Sequence, residues 1–408
     1  MPPEMALILL FTAATAVAIA SRRLKIPYTV ALVLAGLGLG ATHAIRGLHL
    51  TKELLYSVFL PGLVFEAAYH LKLSELRDNA RAILALAVPG VLVAIGVTAT
   101  LLMTSSGFAE VESGFGWSHA LVFAALIAAT DPIAVVALFK TLGAPPRLTL
   151  LVEAESLVND GTTIVLFTIV YAAVSGGGIS VATGLLEFVE VVGLGLVVGA
   201  IVGLAVSHII GRVDDPMIEI SLTTIAAYGS FVVAEELHLS GVIATVSAGM
   251  LCGNIAPRGM GPATRVAVES FWNYVAFALN SLVFVLIGLE VHIGRLLSEW
   301  RPILVAFVAV IGGRAFVVFL ATAFLRWTRE AIPWRWSVVL TWGGLRGALS
   351  MVLALALDPE FPHREIIVTM TFGVVLLSIV LQGITTEPLL RVLGLTRDGT
   401  AGADGHTR

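Results

Sequence analysis

The chain has 408 residues, of which 58% are hydrophobic and only 13% charged. Soluble domains run roughly 45–50% apolar and about 25% charged, so this composition excludes an ordinary water-soluble core and points to a bilayer. A formal charge of −4 argues against nucleic acid as a partner, and a single cysteine, Cys252, rules out an internal disulfide and leaves little room for a thiolate metal site. Taken in chain order, apolar runs long enough to span, about 20 residues each, are expected at 4–20, 26–44, 53–70, 82–104, 118–140, 148–173, 182–207, 217–235, 240–254, 267–291, 302–325, 334–357 and 365–390. No basic region precedes the first run, so it reads as a spanning helix and not as a cleaved signal peptide. The nine histidines fall near segment ends, away from any cluster that would bury a metal, and no cofactor is expected. The polar stretch 391–408 is expected to be a short tail.

Loop charge gives an independent check on this count. With the N-terminus outside and thirteen crossings, 17 of the 24 lysines and arginines fall on the inner side and 5 on the outer, while Arg314 and Arg346 fall inside spans. Cytoplasmic loops carry such an excess of basic residues. A missed span would mix the two groups.

Two spans carry interruptions. The fifth holds Thr130-Asp131-Pro132 in its middle, and the twelfth holds Trp342-Gly343-Gly344-Leu345-Arg346-Gly347. Proline and glycine pairs break helices. The breaks are seven spans apart, which fits two six-helix halves, 1–6 and 8–13, inverted by span 7 between them. Corresponding broken segments in inverted halves point to a transporter site.

The spans also carry ionisable residues. Glu66, Asp131, Glu155, Asp160, Glu269, Arg314 and Arg346 are candidates for bilayer depth, where each costs about 2.5–3.5 kcal/mol on insertion scales. Such groups must be paired, hydrated or ion-binding. Five acids against two bases suit a cation or proton site and disfavour an anion pore. The sixth span is the densest, running Val152-Glu153-Ala154-Glu155-Ser156-Leu157-Val158-Asn159-Asp160. Ser156 and Asp160 lie four apart on one helical face, a hydroxyl beside a carboxylate, as a hard cation requires. Glu155 and Asn159 form a second face. Glu153, nearer the end, meets water.

In the fifth span, Pro132 frees backbone groups, so Thr130 can offer a backbone or hydroxyl oxygen. Asp131 is expected near a half-helix N-terminus, where an anion is stabilised, in a structural role with Asn159 as its partner. Arg346 is placed to neutralise half-helix C-termini. Each arginine needs a carboxylate, and Glu155 is the best unassigned one. Glu66 either reaches an aqueous cavity or sits at the interface. Glu269 and Glu290 lie close to span ends and are given no role.

The stretches AATDPIAVVALFK, VEAESLVNDGTTIVLF, ESFWNYVAFALNSLVFVLIGLEV and TWGGLRGALSMVLALAL, in this order, resemble monovalent cation:proton antiporters of the NhaP and sodium–proton exchanger type. The resemblance covers about residues 4–390. It implies an all-α polytopic membrane protein of thirteen transmembrane helices, in two inverted six-helix repeats joined by a linker helix, with spans 5 and 12 broken and crossing. It implies a homodimer whose scaffold is drawn from 1–71 and 182–292, and an ion-translocating core drawn from 81–173 and 299–390. The tail 391–408 would be cytoplasmic and the N-terminus outside, in a prokaryotic plasma membrane.

By motif match, Asp160 is the shared sodium and proton carboxylate. Ser156, Glu66 and the Thr130 backbone carbonyl complete the ion site. Asp131 and Asn159 hold the helix crossing, Glu155 pairs with Arg314, and Arg346 is a further core charge. The Asn159-Asp160 step resembles the electroneutral branch of the family. Ala154 stands where glycine is common, and regulation through a long C-terminal extension of the animal type is not expected. The expected activity is sodium or lithium exchange for a proton by alternating access, with competition for Asp160 coupling the two. A potassium–proton antiporter is the alternative within the class and a cation channel a weaker one. HExxH, GxSxG and GxxxxGK motifs are absent, which argues against an enzyme.

Overall fold

A computed structural model describes residues 3–24, 27–41, 55–105, 114–177, 181–291 and 293–396. The tail from 397 onward lies outside the described residues, as do Lys25, Arg46 and Lys52 of the loop-charge count. Every regular element among the described residues is helical, and none is a strand.

The helices begin with α1 (Pro3–Leu24) and α2 (Tyr28–Ala41). A π-helical turn at Leu55–Phe59 leads into α3 (Leu60–His70), followed by a short α4 (Leu73–Asp78). Next come α5 (Ala80–Ala87), α6 (Pro89–Thr104), α7 (Trp117–Leu126) and α8 (Ile133–Leu142). The long helices α9 (Pro146–Ala172), α10 (Val181–Ile210), α11 (Pro216–Glu236), α12 (Gly241–Ile255) and α13 (Pro262–Glu290) fill the middle of the chain. The last are α14 (Ile293–Ser298), α15 (Trp300–Leu325), α16 (Trp334–Trp342), α17 (Ala348–Leu355), α18 (Arg364–Leu377) and, after a π-helical turn at Ser378–Gln382, α19 (Gly383–Val392).

Among the described residues, seven helical stretches are long and apolar enough to cross a membrane: Ala80–Thr104, Pro146–Gly176, Thr183–Ile210, Pro216–Glu236, Pro262–Glu290, Trp300–Leu325 and Arg364–Val392. Shorter apolar helices include Ile8–Ser21, Tyr28–Gly40, Trp117–Leu126 and Ile133–Leu142. All fall on expected apolar runs to within a few residues. Two features were not foreseen. The run 82–104 bends at Val88, whose ψ of −78° precedes Pro89; proline removes a donor and crowds the residue before it. The run 365–390 contains the π turn at Ser378–Gln382.

The described residues fall into two units. One is drawn from Met1–Leu50, Asn79–Asn159 and Phe284–Arg408, the other from Thr51–Asp78 and Asp160–Val283. In the first, α6 packs along α15, where Gly313 faces Thr98 and the Ala94 carbonyl with no room for a side chain. Arg147, at the start of α9, ties three segments together. Its Nε donates to Asn79 Oδ1 at 2.7 Å, and its Nη1 and Nη2 donate to the carbonyls of Ala331 and Glu330 at 3.0 and 2.9 Å. Glu330 in turn accepts the Ala82 N–H at 2.8 Å.

The second unit is built on an aromatic core. Phe65 and Trp272 pack with ring centroids 4.6 Å apart, and the Trp272 indole N–H donates to Thr223 Oγ1 at 3.1 Å, so the core's largest ring has its one donor satisfied. Small residues let backbones approach: Gly253 of α12 abuts the Tyr69 carbonyl, and Gly199 of α10 abuts that of Ala244. The α10 helix leaves Leu185, Leu186, Val189 and Ile201 exposed. That face requires a bilayer or another apolar surface.

Candidate ion-binding site

Both expected helix breaks are present. Helix α7 ends at Leu126 and α8 begins at Ile133, leaving 127–132 unwound; α16 ends at Trp342 and α17 begins at Ala348, leaving 343–347 unwound. At the first break, Pro132 cannot donate, and Asp131 Oδ1 accepts the Ile133 N–H at 3.0 Å, capping the N-terminus of α8. Asp131 thus sits at a half-helix N-terminus.

The two breaks are bonded to each other. The Asp131 N–H donates to the Leu345 carbonyl at 2.8 Å. Gly347 lies so close that any Cβ there would fall on the Asp131 carboxylate, which is why glycine is required at this approach. Arg346 Nη1 donates to the carbonyls of Ala128 at 2.7 Å and Ala129 at 3.2 Å. These carbonyls follow the C-terminus of α7, where helical geometry leaves acceptors unpaired and partial negative charge accumulates. The expectation that each arginine needs a carboxylate is corrected here. Arg346 is held at Nη1 by backbone carbonyls, because a broken helix presents them where a carboxylate was expected. Its Nε is buried with no hydrogen-bond partner. The side chain lines a small cavity with Arg314, Thr341, Gly344, Ser378 and Gln382.

Helix α9 supplies the next layer. Ser156 Oγ donates to the Thr130 carbonyl in a short hydrogen bond, and Thr130 Oγ1 lies 3.2 Å from Ser156 Oγ. Asn159 Nδ2 donates to Ala128 O at 3.1 Å and to Thr130 Oγ1 at 2.9 Å, so the amide grips the residues just before Asp131. Thr130, Ser156 and Asn159 are all at least 96% buried. The Ser156 hydroxyl meets both the carbonyl and the hydroxyl of Thr130, and the Asn159 amide nitrogen holds that Thr130 hydroxyl and the Ala128 carbonyl. Asp160 follows Asn159 on the same helix, one turn beyond Ser156, and is half-buried.

Glu155, on the adjoining face, forms a bidentate pair with Arg314. Nη1 meets Oε1 at 2.7 Å and Nη2 meets Oε2 at 2.8 Å, and Arg314 Nε donates to the Leu340 carbonyl at 3.3 Å. Glu153 lies 3.7 Å from Lys140. Glu66 belongs to the second unit, where Oε1 is 3.2 Å from His70 Nδ1. In that unit Glu269 pairs with Arg265 at 3.0 Å on an exposed face. The sequence reading missed Ser378, whose hydroxyl accepts the Arg346 N–H, and Gln382, whose side-chain oxygen accepts from Ser378. Two polar residues four apart in the otherwise apolar stretch 372–384 were the available signal. Among the described residues no three His, Cys, Asp or Glu side chains gather as a metal cluster. The donors around Thr130 are hydroxyl, carbonyl and amide groups, and the oxygens among them suit a hard monovalent cation.

Interrupted apolar helices, cross-bonded at buried charges, define a helical membrane transport protein. Residues 7–392 match the family described as sodium/hydrogen exchanger, transmembrane. The chain is 39% identical over 378 residues to the Na(+)/H(+) antiporter ApNhaP of Aphanothece halophytica, covering 92% of this chain and 71% of that one. It is 39% identical over 353 residues to the Na(+)/H(+) antiporter NhaP of Pseudomonas aeruginosa, covering 83% and 81%. In fold it is similar to the sodium proton antiporter MjNhaP1 of Methanocaldococcus jannaschii, with a TM-score of 0.77, 20% identity, and 95% and 98% of the two chains covered. The chain belongs to the sodium/hydrogen exchanger family. It is a secondary transporter and not an enzyme.

Proposed function

We propose that this protein exchanges sodium or lithium for a proton, one for one, by alternating access. Asp160 is the carboxylate that holds either the cation or the proton. The Ser156 hydroxyl and the Thr130 carbonyl, a turn earlier on the same helix and on the neighbouring break, supply neutral oxygens to the cation. By the family resemblance, Glu66 contributes a further oxygen. The observation that carries this reading is the hydrogen bond from Ser156 to the unwound Thr130 carbonyl. That carbonyl is free of its own helix, and the hydroxyl proton on it can rotate away to let a cation take its place.

Coupling follows from charge. An ion-free, deprotonated Asp160 would carry an unpaired anion through a dry barrier, which is costly. Only the loaded carboxylate crosses, so one flux drives the other. Asp131, Asn159, Glu155, Arg314 and Arg346 hold the crossing without touching the transported ions.

The same reading places thirteen crossings in two inverted repeats around the linker helix, with the N-terminus outside and the tail in the cytoplasm of a prokaryotic cell. The bundles drawn from 81–173 and 299–390 move as the ion-carrying core, and those from 1–71 and 182–292 form the scaffold of a homodimer. The exposed apolar face of α10 supports the last point. The sodium names of the relatives disfavour the potassium alternative. The experiment is purified protein in liposomes with an internal pH dye. Sodium and lithium pulses should alkalinise the lumen of proton-loaded vesicles, potassium pulses should not, and clamping the voltage should not alter the rate. Proton movement driven by potassium alone, or cation flux without proton movement, would contradict the proposal.

A further inference from the structure

Ser378 and Gln382 have no place among the ion ligands, yet they are bonded into the machinery that sets them. We propose that this pair positions Arg346, and through it the Thr130 carbonyl, for cation binding; the inference rests on the sodium–proton reading above.

The Gly343 amide still bonds the Val339 carbonyl one turn back, but an amide beyond it in the unwound stretch has no helical partner, and in a membrane interior it must find another acceptor within the protein. The Arg346 N–H finds one on a different helix, donating to Ser378 Oγ at 2.9 Å. The Ser378 hydroxyl then donates to Gln382 Oε1 at 2.6 Å. Ser378 and Gln382 are 1% and 2% exposed, so water does not compete for these bonds. With the amide accepted and the proton donated, the hydroxyl has one orientation that serves both.

The two residues are the first and last of the π-helical turn Ser378–Gln382. Such turns are rare, occur mostly as single insertions, and are frequent at functional sites because they redirect side chains. Here the turn carries the side chain that accepts the Arg346 amide.

Arg346 is therefore held at both ends. Its amide is fixed by Ser378 and its Nη1 by Ala128 and Ala129. Ala129 is followed directly by Thr130, whose carbonyl accepts Ser156. A continuous path of short bonds runs from Gln382 through Ser378 and Arg346 to the oxygens proposed to bind the cation. Moving the Arg346 backbone moves the carbonyl that Ser156 faces.

The test measures sodium-driven proton exchange in liposomes at varied sodium concentration, normalised to folded protein, for wild type, Ser378→Ala, Ser378→Thr, Gln382→Leu and the Ser378→Ala/Gln382→Leu double variant. Ser378→Ala should raise the apparent KM for sodium about five- to tenfold, as for loss of one buried hydrogen bond. Ser378→Thr restores the hydroxyl and should return KM to within about twofold of wild type. Gln382→Leu should raise KM while leaving the Arg346–Ser378 bond, and the double variant should be no worse than Ser378→Ala. A purely structural role would lower folded yield and maximal rate with KM unchanged, or would leave threonine unable to rescue; either result overturns the inference. Should Ser378→Ala fail to fold, a wild-type KM in Gln382→Leu overturns it. Wild type that moves no protons on sodium addition overturns the antiport reading itself.

Discussion

Arg314 grips Glu155 through two parallel hydrogen bonds of 2.7 and 2.8 Å, with Glu155 1% and Arg314 7% exposed. Such a fork satisfies both charges at once in a setting where either alone would be expensive. Glu155 is the neighbour of Ser156, so the pair also fixes the rotation of α9 that turns Ser156 toward Thr130.

This pair gives the first prediction. Glu155→Ala or Arg314→Ala leaves an uncompensated buried charge and should cost about 3–5 kcal/mol each. Glu155→Leu/Arg314→Met, which removes both charges, should recover most of that loss. Thermal unfolding of the purified variants reads the difference. Singles as stable as wild type would remove the pair from the account.

Arg346 gives the second. Lysine keeps the charge but replaces a planar, multi-donor head with a compact ammonium. Arg346→Lys should fold and lose roughly ten- to a hundredfold in exchange rate, as for one charge-assisted hydrogen bond of about 1.5–3 kcal/mol. A wild-type rate in liposomes would mean that the carbonyls of Ala128 and Ala129 need no guanidinium.

Gly347 gives the third. A methyl group there falls on the Asp131 carboxylate, so Gly347→Ala must push the two breaks apart. A displacement of about 1 Å at a reacting site can cost on the order of a hundredfold in rate, and exchange should fall by about that much. Gly38, where an added Cβ meets nothing within 4 Å, is the control: Gly38→Ala should exchange like wild type.

Trp272 tests the second unit. It is 1% exposed and donates to Thr223, so Trp272→Ala should lower stability by about 3–5 kcal/mol through the cavity it leaves. Thermal unfolding with no shift would show that the aromatic core is dispensable.

Much of this was legible in the sequence because membranes impose simple rules. Apolar run length located the helices, and Pro132 and Gly343-Gly344, each beside a charged residue, located the breaks, although Gly312-Gly313 and Pro388 stand within unbroken helices. Charges in apolar runs located Glu155, Arg314 and Arg346. Partners were harder. Arg346 was expected to meet a carboxylate and instead meets Ala128 and Ala129, because freed carbonyls carry no mark in the side-chain sequence. Ser378 and Gln382 escaped for a related reason. A π turn has no composition of its own, so Ser378 and Gln382, four apart, read as ordinary helical neighbours, with no mark that the Ser378 hydroxyl accepts the Arg346 N–H of another segment.

One acid visited in turn by a metal ion and a proton should trade them visibly. Titrating sodium into purified protein by calorimetry, in buffers of differing ionisation enthalpy, counts protons released per ion bound. Wild type should release close to one proton per ion at a pH well below the proton-binding midpoint, falling to about one half at that midpoint, and Asp160→Asn should neither bind sodium nor release a proton. Sodium binding that liberates no proton, or that survives in Asp160→Asn, would contradict the account.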